Sequence, residues 1–157
     1  MKKFLLYLFL AYVALSVQAI FFENVKPDLV LILVCFYAVR HGQLKGVTYG
    51  ALTGLLIDTA GGFILGPHIV SKSIAAFLIR SVRENIFQWN IFISTLLIAI
   101  LSIVDILIVY LCIEMFSAVS LDNMPLKIFG MQIIYTVSAS MIIYVLLKSE
   151  KDKEILF

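Results

Sequence analysis

Charged residues are scarce in this chain, at 14%, and so are cysteine (two), proline (three) and tryptophan (one). Soluble domains carry about 25% charged and about 45–50% apolar residues. With 62% of its 157 residues hydrophobic, this chain cannot hide its apolar surface in water, because part of every core element in a small domain faces solvent. A lipid surround removes that conflict. Cys35 and Cys112 lie inside apolar runs with no CxxC spacing, which reads as thiols acting as small hydrophobes, not a metal or redox site. No HExxH, GxSxG, Walker or GxGxxG pattern occurs, and no Lys/Arg stripe interleaved with aromatics points to nucleic acid. The expectation is a non-enzyme with no cofactor, no metal and no nucleic-acid partner.

What is present is a series of apolar segments at 4–22, 29–39, 47–65, 69–79, 91–119 and 126–147, separated by Gly, Pro and charged residues. Met1-Lys2-Lys3 and the apolar run after it have the form of a signal peptide. The run nevertheless reaches a spanning length, since ~20 residues at about 1.5 Å rise cross a ~30 Å core, and it reads as a retained first helix. The second and fourth segments are short enough to be re-entrant or interfacial by length alone. Charge placement favours crossing. With six spans and the N-terminus inside, Lys2, Lys3, Arg40, Lys45, Arg80, Arg83, Lys148, Lys151 and Lys153 all fall on the cytoplasmic side, leaving Lys26 and Lys127 outside. The predicted fold is an all-α membrane protein, a six-helix transmembrane bundle in one domain (1–157), with spans at about 4–22, 27–40, 45–62, 67–83, 91–117 and 126–147. Membrane lipids surround it, and Phe87 and Trp89 suit interfacial anchors.

Several residues break the apolar pattern. Pro27 and Pro67 suit the first turn of a helix, where the missing N–H costs nothing, and Asp28 would face a positive helix end. Gly46, Gly50 and Gly54 recur every four residues, and Asp58 and Gly62 continue the series, forming one slowly drifting helix face. That face allows close helix approach, either within the bundle or as a groove for a partner helix. Asp58, roughly 18 Å along the helix from Gly46, is read as near mid-bilayer. Asp58, Lys72, Ser102 and Asp105 form the intramembrane polar set; a carboxylate at such depth costs ~2.5–3.5 kcal/mol and must face protein. One aspartate can pair with Lys72 in a structural clasp, and a proton relay is the other reading. His41 and His68 are read as loop residues on opposite sides of the membrane, unable to share a metal.

Pro27-Asp28-Leu29-Val30-Leu31, a basic loop, a glycine-rich helix ending Gly54-Leu55-Leu56-Ile57-Asp58, and then Leu65-Gly66 before a short apolar helix resemble the rod-shape-determining membrane protein MreD family. The specific match covers residues 27–80. The resemblance implies a non-catalytic component of the cell-wall elongation machinery in the bacterial inner membrane, multi-pass with both termini cytoplasmic. It implies a bitopic MreC-like partner and, through it, the MreB filament and the RodA–transpeptidase synthase. It also implies a fold similar to the substrate-binding (S) subunits of energy-coupling-factor transporters. From that likeness comes the alternative, a vitamin-binding transporter subunit; a proton-coupled carrier using Asp58 and Asp105 is a third class.

Overall fold

Glycine and proline mark the points where the chain turns. Gly42, at φ 94°, separates α2 (Leu29–His41) from α3 (Gln43–Gly61), and Gly62, at φ 69°, closes α3 in the left-handed conformation. Residues with a Cβ rarely adopt such angles. Gly66, also at positive φ, leads into Pro67, the first residue of α4 (Pro67–Asn85), where a missing N–H is harmless. The remaining helices are α1 (Lys2–Phe21), α5 (Ile91–Phe116) and α6 (Leu126–Glu154). This computed structural model describes residues 2–21, 26–62, 65–85, 91–116 and 126–154. Phe87, Trp89 and the 122–125 loop lie outside the described residues.

Several boundaries differ from the sequence reading. Pro27 does not enter the helix: Asp28 is the N-cap, its side chain accepting from the Leu31 N–H at 2.8 Å, and Pro27 precedes it. A side-chain cap outcompetes the proline as the start signal because it satisfies an orphan amide. Helix α6 runs on through the lysine-rich stretch to Glu154, since lysine and glutamate are good helix formers. His41 ends α2 and His68 lies in the first turn of α4, so neither is a loop residue.

Neighbouring helices alternate in direction. Tyr7 on α1 meets Tyr37 and His41 near the end of α2, and Gln18 meets Pro27 before its start. Helix α6 runs parallel to α2, pairing Thr136 with Asp28 and Tyr144 with Phe36. Helix α2 is central: each of the other five helices contacts it, and Val30, Leu31, Ile32, Val34, Cys35, Tyr37 and Ala38 are all buried. At 13 residues it is about 20 Å long.

The outer surface is apolar. Helix α5 exposes Phe92, Leu96, Ile100, Ile103, Leu107 and Leu111, and α1 exposes Leu5, Leu6, Phe9 and Tyr12. Among the described residues, α5 is the helix long and apolar enough by itself to cross a membrane; α1, α2 and α6 carry shorter apolar stretches. A bundle with polar groups inside and large apolar side chains outside is the arrangement expected in lipid.

Candidate functional site

Helices α3 and α4 pack antiparallel, with more contact than any other pair. A Cβ at Gly50 would lie 2.6 Å from the Lys72 carbonyl oxygen, and one at Gly54 would lie 2.6 Å from the Ile69 Cα. Gly46 faces α2 instead, where a Cβ would lie 2.6 Å from that of Ala38. Hydrogen in place of a side chain thus lets the α4 backbone sit directly on α3. Gly62 does not continue this face; it is exposed, with open space around it.

That close approach sets the position of Lys72. Its side chain is fully buried, and Nζ donates to both oxygens of Asp105 on α5, at 2.9 and 2.8 Å, and to Asp28 Oδ2 at the start of α2. Three helices are joined through one ammonium group, whose three N–H donors all find carboxylate oxygens. Asp28 is held in turn from two sides: its backbone N–H donates to Thr136 Oγ1 at 2.9 Å, while its Oδ1 caps α2. The Thr136 hydroxyl donates in turn to the Gln132 carbonyl, so α6 joins the same network. Ser102 is buried one turn before Asp105.

Asp58 is not part of this cluster and lies near the end of α3, not along its middle. It lies three residues before the end of α3 and accepts from the backbone N–H groups of Gly66 (2.9 Å), His68 (3.2 Å) and Ile69 (3.3 Å). A carboxylate at this place meets the unpaired amides and positive dipole end of α4. The distance from Gly46 was sound, but α3 begins at Gln43 and stops at Gly61, which puts residue 58 near one end.

Two cavities flank the ionic cluster. One of about 640 Å³ lies between α1, the start of α2 and the end of α3; another of about 160 Å³ lies against α5 and α6. Asp28, His68 and Gln132 line both. His68 Nδ1 is buried without a hydrogen-bond partner among the described residues.

The opposite end of α2 is held by rings. Tyr37 stacks on His41 (centroids 4.2 Å apart) and packs on Tyr7 (5.0 Å) and Tyr49 (4.4 Å). The Tyr49 hydroxyl donates to the Tyr7 carbonyl at 2.7 Å, and Arg80 donates to the Val39 carbonyl at 2.9 Å.

Sequence reasoning named Lys72 and Asp105 but missed Asp28 as an ionic partner, as well as Thr136, His68 and the tyrosine cluster. Asp28 was legible in principle. Lys72 lies five residues into a helix that starts at Pro67, about 8 Å from the end, and Asp28 caps an adjacent parallel helix at the same end. No curated relative and no solved structure matches the chain. The family model described as rod shape-determining protein MreD matches residues 1–149. With that match running over the six helices and their ionic centre, this chain belongs to the MreD family of rod shape-determining membrane proteins.

Proposed function

We propose that this chain is a non-catalytic, multi-pass component of the bacterial cell-wall elongation complex. It crosses the inner membrane six times with both termini in the cytoplasm. It binds an MreC-like bitopic protein and, through it, couples to the MreB filament and the RodA–transpeptidase synthase. The family match over residues 1–149 carries this reading. The buried charges support it: Lys72 spends its donors on Asp28 and Asp105, which suits a clasp that fixes a scaffold. The distribution of Lys and Arg supports the topology. The apolar outer faces of α1 and α5 offer room for a single partner helix. Because Gly50 and Gly54 are filled by α4, docking falls to those outer faces and not to the glycine stripe.

The test is co-purification from membranes with identification of what comes down, alongside rescue of rod shape in a strain lacking the endogenous protein. A bitopic coiled-coil protein and restored rods are the expected outcome. The cavity of about 640 Å³ favours a second reading, a vitamin-binding transporter subunit; recovery of an ATPase pair with no effect on shape would establish that reading instead. For topology, single cysteines at Asp122 and Ser149 should label from opposite sides with an impermeant reagent; equal external labelling would sink six spans.

A further inference from the structure

The ionic cluster is formally unbalanced. Lys72 brings one positive charge against two carboxylates, Asp28 and Asp105, leaving one negative charge in a low-dielectric setting where uncompensated charge is costly. Asp105 is almost wholly enclosed, whereas Asp28 retains 13% side-chain exposure and lines the larger chamber. Beside it in the same chamber is His68, whose Nδ1 is buried and has no hydrogen-bond partner among the described residues, a state that buried polar atoms seldom keep. At another part of the lining stands Lys26, an exposed cation. Leu15, Leu56 and Ile57 give the wall apolar stretches, with Ser16, Gln18, Thr59 and Gln132 between them; these three apolar residues belong to α1 and α3, which expose Leu5, Phe9, Leu52 and Leu55. The volume of about 640 Å³ falls within the range of about 300–1,000 Å³ typical of ligand clefts.

We propose that this chamber binds a phosphoethanolamine group, with the headgroup of an aminophospholipid as its membrane source. A primary ammonium supplies a positive charge for Asp28 and an N–H donor that His68 Nδ1, buried at rest, meets by a turn of its ring. Lys26 meets the phosphate, as a point charge suited to that group. Acyl chains leave over Leu15 and Leu56 toward the lipid-facing surfaces of α1 and α3. The polarity of the site, anionic at Asp28 and cationic at Lys26, matches a zwitterion and opposes a purely anionic headgroup. A quaternary ammonium has the charge but no N–H to give His68.

The full chain, delipidated in detergent, is titrated with phosphatidylethanolamine, phosphatidylglycerol, phosphatidylcholine and soluble glycerophosphoethanolamine while its unfolding midpoint is followed. A saturable rise with phosphatidylethanolamine, absent with the glycerol and choline lipids, is expected. If the soluble headgroup matches the lipid, the site takes the same chemistry from solution; if the lipid acts alone, the source is the membrane. No rise with either ethanolamine compound, or an equal rise with phosphatidylglycerol, overturns the proposal. His68→Leu should weaken the ethanolamine effect about tenfold, the loss of one charge-assisted hydrogen bond. Should that variant not fold, Lys26→Gln at an exposed position decides: a several-fold loss of apparent affinity is expected, and unchanged affinity rejects the phosphate arm and the proposal with it.

Discussion

The two ends of the central helix α2 are anchored by unlike physics. At its start, Asp28 is tied to Lys72 and, through it, to Asp105 on α5. At its finish, Tyr37 and His41 lie among Tyr7 and Tyr49. The charged end is unforgiving, because removing one member strands another charge in a largely buried site. The aromatic end is graded, since each ring contributes by area and edge-to-face contact and can be shaved without exposing a charge. The contrast teaches that this bundle has a rigid end and an adaptable end, and that substitutions should sort by end more than by burial.

The largest effect expected is at Lys72. Lys72→Leu leaves Asp28 and Asp105 facing each other and should cost about 3–5 kcal/mol, read as a collapse of the detergent unfolding midpoint and of membrane abundance. Replacing all three together, Asp28→Asn, Lys72→Met and Asp105→Asn, should restore most of that stability, because no charge remains to be stranded. If the triple variant is as unstable as Lys72→Leu, the charged end is no different in kind from the aromatic one.

Next is the glycine contact. Gly54→Ala drives a methyl into the α4 backbone and should cost about 1–3 kcal/mol by overpacking. Gly130→Ala, with nothing near its side-chain position, should be neutral or slightly stabilising, by helix propensity alone. Equal unfolding midpoints for the two variants would show that α4 can move away without consequence.

Asp58 should give a smaller effect. Asp58→Leu removes the acceptor for three α4 amides and should cost about 0.5–2 kcal/mol, as for other helix caps. Asp58→Asn keeps one acceptor oxygen and should lose less; denaturant titration of both variants checks the order. The smallest effect belongs to the aromatic end. Tyr49→Phe deletes one hydroxyl hydrogen bond but leaves the ring packing, and should cost about 0.6 kcal/mol, the average measured for such bonds in a helical membrane protein. A cost rivalling that of Gly54→Ala would end the claim that this end is forgiving.

The helices were legible in the sequence because glycine, proline and charged residues interrupt apolar runs at nearly every turn. The glycine face of α3 was equally visible, since spacing of four at Gly46, Gly50 and Gly54 needs no tertiary knowledge. What covers that face did not follow, because spacing says nothing about which helix arrives. The ionic centre was half legible: Lys72 and Asp105 stand out against their apolar neighbours, while Asp28 looks like an ordinary cap and is one. Its second oxygen does the other task. The place of Asp58 did not follow, because depth was counted from Gly46 and not from the helix end, and because the amides of Gly66, His68 and Ile69 that meet it lie beyond the end of α3.

Repetition at four-residue spacing has a further consequence for the pairing of α3 with α4. Gly50 lies against residue 72 and Gly54 against residue 68, so a slide of α4 by four residues, about 6 Å, would present each glycine with another stretch of helical backbone. Steric fit between these two helices is therefore nearly periodic and does not by itself choose among such alignments. Lys72 does, since only one alignment delivers its ammonium to Asp28 and Asp105. The charge cluster works as an index mark on a vernier, selecting one setting from several that the smooth glycine track would accept.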